Sequence, residues 1–158
     1  MSDILSYLAE PETVVVFDID GVLAPYEFGE LSHAACLDGD WKTYVLEEHP
    51  YAHIRPVPQI RRFIEKKGCT RVFACSVAED YEEEGKRDFV VANYGLPADH
   101  VKLVRSKSDK VAELRALAKE FCASERRVAL VEDTVKTLDE VARKTGCTTV
   151  HVSSFFFA

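Results

Sequence analysis

The chain has 158 residues, of which 47% are hydrophobic, and it carries a net charge of −7. This length suits one domain over residues 1–158, and the acidic balance argues against broad nucleic-acid binding while leaving a local basic site open. The apolar runs are too short to span a bilayer and the N-terminal residues lack a signal-peptide pattern, so we expect a cytoplasmic protein without a membrane partner. Five cysteines without a C-x-x-C pair disfavour a disulfide framework or a zinc site.

Patterns typical of strands and helices alternate along the chain. A β-branched run at Thr13–Phe17 predicts a buried first strand, and helices with apolar residues at helical spacing separate four further strands. Such alternation favours an α/β fold, a Rossmann-like three-layer sandwich with a central parallel sheet of about five strands. The later strands are predicted at Arg71–Cys75, Val101–Val104, Val128–Val131 and Thr148–Val152, and the helices at Pro58–Lys67, Asp80–Tyr94, Asp109–Phe121 and Thr137–Lys144.

Acidic residues follow two of these strands, at the edge where parallel sheets bind ligands. Asp18, Asp20 and Gly21 follow the first strand, and Glu132 and Asp133 follow the fourth. Buried carboxylates at a strand end are costly unless they meet a cation or hydrogen-bond donors. Ordinary turn chemistry, or a helix N-terminus that favours negative charge, explains one such pair but not two. The two pairs together indicate a Mg²⁺ site built from oxygen ligands.

Two further polar residues stand where they would meet a phosphate at the same edge. Ser76 follows the second strand and offers a hydroxyl. Lys110 opens a helix, with Asp109 as a plausible N-cap, and a lysine there opposes the helix dipole unless an anion lies nearby. Lys107 competes for this role, but we favour Lys110 because the apolar face of the helix starts at the next residue, Val111.

Taken in order, these features resemble the haloacid dehalogenase superfamily of phosphohydrolases. The segment Val16–Leu23 (Val-Phe-Asp-Ile-Asp-Gly-Val-Leu) is similar to the first motif of that family, D-x-D-G-[TV]-L after a strand. Phe73–Ser76 resembles its second motif, Ser108–Val111 its third and Ala129–Asp133 its fourth. The resemblance therefore covers about the whole chain.

The resemblance implies a mechanism for phosphate-ester hydrolysis. Asp18 would be the nucleophile that forms an aspartyl-phosphate. Asp20 would protonate the leaving oxygen and then deprotonate the water that cleaves the intermediate. Ser76 and Lys110 would hold the phosphoryl oxygens of a small phosphorylated substrate.

The resemblance also implies the ligands of the magnesium ion. Asp18, the backbone carbonyl of Asp20, and Asp133 would bind Mg²⁺, with Glu132 acting directly or through water. The sequence departs from the family at Thr137, where many members have a further aspartate. Glu132 is the residue that we expect to supply the missing charge.

The segment 24–55 is the room available for a cap, and it is short for a full cap domain. We therefore expect a minimal-cap enzyme with an open site. A neighbouring subunit of a homo-oligomer is one way to cover such a site. The aromatic and polar residues of this segment suit the wall of a ligand site. For most of them, however, we favour an amphipathic helix packed on the core. The residues concerned are Tyr26, Glu27, Glu30, His33, Asp38, Asp40, Trp41, Lys42, Tyr44, His49, Tyr51, His53 and Arg55.

Other functions remain open at this stage. A nucleotidase or polynucleotide-end phosphatase is one alternative, because basic residues crowd the segment from Lys102 to Lys110. The stretch from Asp20 to Phe28 also loosely resembles the deoxyribonucleotidase branch of the family. A catalytically silent binding module with the same fold is a further alternative. The sequence does not identify the physiological substrate.

Overall fold

The computed structural model describes residues 3–25 and 40–156. The helices of this part are α1 (Asp3–Ala9), α2 (Trp41–Glu48), α3 (Pro58–Lys67), α4 (Asp80–Tyr94), α5 (Asp109–Glu120) and α6 (Val135–Lys144). The strands are β1 (Val14–Phe17), β2 (Val72–Val77), β3 (Val101–Val104), β4 (Val128–Glu132) and β5 (Thr148–His151). Short 3₁₀ turns lie at 50–52, 98–100, 125–127 and 152–155.

The five strands form one parallel sheet in the order β3-β2-β1-β4-β5. β1 is central, and its last residue, Phe17, pairs with Ala74 of β2 and Val131 of β4. The predicted α/β, Rossmann-like three-layer fold is therefore confirmed. The residues that follow β1 emerge at the middle of the carboxyl edge, between two neighbouring strands.

Helices cover both faces of the sheet. Val15 and Phe17 of β1 face the layer that contains α1, α3 and α4, whereas Val14 and Val16 face α5 and α6. All four side chains are fully buried, because a parallel strand in the middle of a three-layer fold has no solvent-facing side. Burial of each such apolar side chain contributes roughly 1.5–3 kcal/mol to folding.

The structure corrects three of the predicted boundaries that bear on the site. β4 does not end at Val131 but includes Glu132, which pairs with His151 of β5. β2 does not end at Cys75 but continues to Val77, because Ser76 and Val77 still pair with β3. Ser76 is therefore a strand residue rather than a loop residue. Ser108, not Asp109, precedes the first turn of α5, and the Asp109 carboxylate accepts from the Ser106 backbone N–H at 2.9 Å.

Part of the insert is helical, as predicted. α2 begins after Asp40, whose carboxylate accepts the Thr43 backbone N–H, and it buries Val45. The predictions for Tyr26, Glu27, Glu30, His33 and Asp38 lie outside the described residues. Among the helices of 3–25 and 40–156, none combines the length and the apolar character needed to cross a membrane.

Candidate active site

A tight turn carries both aspartates away from the end of β1. Gly21 adopts a φ of 79°, a conformation that residues with a Cβ rarely take, and its N–H donates to the Ala24 carbonyl at 2.8 Å. Ile19, between the two aspartates, is fully buried. The turn therefore anchors on an apolar side chain, while Asp18 and Asp20 meet different partners on either side.

Asp18 lies in an ion cluster with Lys110 and Glu132. The Lys110 Nζ is 2.9 Å from Asp18 Oδ1 and 2.8 Å from Glu132 Oε2, and Lys110 is 1% exposed. Asp18 Oδ1 is itself buried and, within the described residues, no donor is directed at it with hydrogen-bond geometry. The contact is thus an ion pair, and the oxygen keeps a free acceptor direction.

Burial controls the ionisation of this cluster. Desolvation raises the pKa of Asp18 from 3.8 to about 6, although the Lys110 ammonium opposes the rise. Burial alone would lower the pKa of Lys110, but the carboxylates of Asp18 and Glu132 outweigh it and raise that pKa above its ordinary value. Lys110 is therefore charged at neutral pH, and Asp18 is a desolvated carboxylate that is mostly ionised there.

The raised pKa of Asp18 predicts a pH-dependent stability in the metal-free protein. The folded state binds a proton on Asp18 more readily than the unfolded state does. The contribution of Asp18 to the free energy of unfolding therefore falls as the pH rises from about 4 to about 6. The full loss is about 3 kcal/mol. Denaturant unfolding of the wild type and of Asp18→Asn should show that the difference between their free energies of unfolding grows with pH across this range. A constant difference would contradict the raised pKa.

Glu132 and Asp133 complete an acidic cluster with Asp18. Carboxylate oxygens of the three residues lie within 4.8 Å of one another. Glu132 is 1% exposed, and its Oε1 also accepts the backbone N–H groups of Asp133 and Thr134 at 3.1 and 3.3 Å. Thr137 is buried as well, and in the described part of the chain its hydroxyl has no hydrogen-bond partner. The oxygen-rich donor set and the free acceptor direction at Asp18 fit a hard divalent cation.

Ser76, the other predicted phosphate ligand, lies on β2 rather than on the helix that carries Lys110. Ser76 lies on β2 two residues beyond Ala74, the partner of Phe17, and so near the same edge. It is 2% exposed, and its hydroxyl makes a long contact of 3.4 Å with the Val77 carbonyl, which holds it weakly. Lys107 is exposed, whereas Lys110 is in the cluster, so the geometry favours Lys110 of the two.

Asp20 has a buried lysine of its own, which sequence reasoning missed. The Lys86 Nζ is 2.8 Å from Asp20 Oδ2, and Lys86 is 1% exposed. The Tyr51 hydroxyl donates to Asp20 Oδ1 at 2.7 Å. Each aspartate of the turn is therefore paired with a different buried lysine, Asp18 with one from α5 and Asp20 with one from α4.

A signal for Lys86 was present in the sequence. Lys86 precedes Phe89 and Val90 by three and four residues, which places all three on one helical face. Phe89 and Val90 form the buried face of α4, so a lysine in line with them requires a buried counter-ion. No comparable signal marks Tyr51, because its contact with Asp20 spans 31 residues.

The basic segment from Lys102 to Lys110 does not form one patch. Arg105 donates to carboxylates of Asp80 and Glu83 and to a backbone carbonyl of the β2–α4 connection. Lys102 lies over the Phe73 ring, and Lys110 is buried in the Asp18 cluster. The crowding of basic residues in sequence therefore does not translate into a continuous surface for a polyanion.

A cavity of about 440 Å³ lies next to this site, between α2, the 50–52 turn and α4. Tyr51 and Phe89 contribute to its wall, together with Leu46 and Tyr81. Asp18, Asp20 and Lys110 do not line it. Tyr51 therefore lines the cavity with its ring and contacts the Asp20 carboxylate with its hydroxyl.

Solved structures share this fold. The DsGPDH of Dunaliella salina is 20% identical, with a TM-score of 0.58 over 92% of this chain and 24% of its own. A hypothetical protein from Xanthomonas campestris is 17% identical, with a TM-score of 0.52 over 96% of this chain and 69% of its own. The chain thus spans about a quarter of the Dunaliella protein. No family model and no curated protein matches the chain.

Proposed function

We propose that this chain is a minimal-cap phosphohydrolase of the haloacid dehalogenase type that acts on a small phosphomonoester. In this proposal Asp18 forms an aspartyl-phosphate, Asp20 is the general acid and base, and Mg²⁺ is the cofactor. The observation that carries the proposal is the Asp18 cluster. A desolvated carboxylate at the carboxyl end of the central strand lies 2.9 Å from a buried lysine and beside two further acids.

The geometry supports a nucleophilic role for Asp18. Desolvation removes water that would otherwise have to leave before the carboxylate attacks phosphorus. Lys110 offsets the negative charge that accumulates when an anionic phosphoryl group approaches an ionised aspartate. As Asp18 bonds to phosphorus, the bond to the leaving oxygen breaks and Asp20 supplies the proton to that oxygen.

The acidic cluster supports the magnesium assignment. Asp18, the Asp20 backbone carbonyl and Asp133 would hold the ion, which when bound would polarise the phosphoryl oxygens. Both oxygens of Glu132 already accept hydrogen bonds, from Lys110 and from two backbone N–H groups. This engagement favours an indirect role for Glu132, through water and through the placement of Lys110.

Turnover of a generic aryl phosphate tests the proposal. The wild-type protein should release phosphate with Mg²⁺ present and stop when EDTA removes the ion. Absence of turnover on a panel of aryl, sugar and nucleotide phosphates, together with absence of Mg²⁺ binding, would instead favour the catalytically silent binding module. Turnover of oligonucleotide ends that falls steeply with salt would favour the polynucleotide-end phosphatase.

Magnesium binding should stabilise the protein through Asp133. A ligand at one hundred times its dissociation constant adds about 2.7 kcal/mol, so the melting temperature should rise by several degrees. Asp133→Asn should weaken this rise at a given Mg²⁺ concentration, because it removes one anionic ligand. Asp139→Asn is the matched control, since Asp139 is an exposed carboxylate on α6. An equal magnesium effect in all three proteins would exclude Asp133 as a ligand.

A further inference from the structure

Lys86 is the centre of a second buried ion cluster. Its ammonium donates to the Val77 carbonyl at 2.6 Å and lies 2.8 Å from Asp20 Oδ2 and 3.5 Å from Glu82 Oε1. A buried lysine is tolerated only when carboxylates and carbonyls replace its water. This one has a carbonyl partner at the end of β2, a carboxylate one turn earlier in α4 and the Asp20 carboxylate in the turn after β1. The cluster therefore fixes where one Asp20 oxygen lies.

Tyr51 fixes the other oxygen. Its hydroxyl donates to Asp20 Oδ1 at 2.7 Å, and its ring lies against α4 at Gly85. A Cβ at Gly85 would be 3.3 Å from Tyr51 Cδ2, closer than most packed carbon atoms. Glycine inside a helix costs roughly 0.5–1 kcal/mol relative to alanine, so its presence here suits the close approach of the Tyr51 ring.

A third contact ties the insert to the same cluster. The Trp41 indole N–H donates to Glu82 Oε1 at 2.9 Å, and this oxygen faces Lys86. Trp41 opens α2 and Tyr51 lies in the following 3₁₀ turn, so two aromatic residues of the 24–55 insert reach the cluster. The insert therefore contacts Asp20 directly through Tyr51. It also contacts Glu82 through Trp41, and Glu82 in turn faces Lys86, the lysine that pairs with Asp20.

We propose that Lys86 and Tyr51 are positioning residues that orient the Asp20 carboxylate as the base of the second half-reaction. The inference rests on the proposed phosphohydrolase function and deepens it. Both partners donate, so both Asp20 oxygens accept, and the two contacts hold the carboxylate in one orientation. The Asp20 side chain is 21% exposed, so a water molecule still reaches it.

In that half-reaction the water oxygen bonds to phosphorus while the bond from phosphorus to the Asp18 oxygen breaks. The water proton passes to Asp20, and the products are inorganic phosphate and the free Asp18 carboxylate. Misorientation of Asp20 slows this step for every substrate. It affects the first step least when the leaving group is a good one, such as an aryl oxide that needs little protonation.

Pre-steady-state kinetics of Tyr51→Phe with p-nitrophenyl phosphate and Mg²⁺ tests the inference. We expect kcat to fall about tenfold while the rate of the first nitrophenolate release changes little, so that a burst appears or grows. KM should fall together with kcat, because the phosphorylated enzyme accumulates. Gly85→Ala displaces the Tyr51 ring within an intact helix and should change the burst in the same direction.

Tyr94→Phe is the matched control. Tyr94 is also buried and hydrogen-bonded, to the Leu23 carbonyl and the Val57 N–H, but it does not contact Asp20. Its substitution should leave the ratio of burst rate to kcat unchanged. Equal slowing of both steps in Tyr51→Phe, or the same burst in Tyr94→Phe, would overturn the positioning role and leave the phosphohydrolase intact. A wild-type protein without turnover would overturn the proposed function, and the positioning role with it.

Discussion

Replacing Asp18 with asparagine should abolish phosphate release, with a fall in kcat of at least about a thousandfold. The amide keeps the size of the side chain but cannot form an aspartyl-phosphate. The fold should survive, because Lys110 keeps Glu132 as an ion-pair partner at 2.8 Å. At neutral pH the variant should be more stable than the wild type, since the wild type keeps a desolvated carboxylate with a pKa of about 6. Steady-state turnover and thermal unfolding of the metal-free proteins measure both effects.

An asparagine control away from the site separates chemistry from folding. Asp139→Asn changes an exposed carboxylate on α6 and should alter neither turnover nor the free energy of unfolding by more than about 0.5 kcal/mol. Turnover that persists in Asp18→Asn would contradict the aspartyl-phosphate mechanism. Inactivity combined with unfolding would show that Asp18 is needed for the fold instead.

Replacing Lys110 with methionine should both inactivate and destabilise the protein. Lys110 lies within 3 Å of the carboxylates of Asp18 and Glu132, and both acids are almost fully buried. Without the ammonium the two acids face each other uncompensated, at a cost of about 3–5 kcal/mol. The melting temperature should fall by roughly 10 °C at pH 7 and recover as the pH is lowered, because protonation removes the repulsion.

Lys107→Met is the matched control for this substitution. Lys107 is exposed, so its replacement should change the stability by less than about 0.5 kcal/mol. The double variant Lys110→Met/Glu132→Gln should regain part of the stability but none of the activity, since the cation for the phosphoryl group stays absent. Loss of activity in Lys107→Met with retention in Lys110→Met would reverse the assignment of the phosphate-site lysine.

The alternation of apolar runs and amphipathic helices was sufficient to predict the fold. A run such as Val14–Phe17 is apolar at every position, as is typical of a strand covered on both faces. The carboxyl-edge rule then predicted that Asp18 and Asp133 would meet, and their oxygens do lie within 4.8 Å. The local sequence also favoured Lys110 over Lys107, because the apolar face of the helix starts directly after Lys110, at Val111.

The partners of Lys86 could not be predicted from the sequence. Helical spacing marks Lys86 as buried, but which acid it meets depends on how α4 crosses the end of β1. The contact of Tyr51 with Asp20 depends further on the path of the insert and on the missing side chain at Gly85. The predicted end of β2, at Cys75, was two residues too early for a related reason, since pairing with β3 extends the strand to Val77.

Trapping the phosphorylated protein tests the central claim most directly. Protein mixed with p-nitrophenyl [³²P]phosphate and Mg²⁺ and quenched in acid should carry label that hydroxylamine removes, as expected for an acyl phosphate. Peptide mapping should locate the label at Asp18, and Asp20→Asn should increase its amount because hydrolysis of the intermediate slows. Steady turnover without protein-bound label, or label on a residue other than Asp18, would contradict the account.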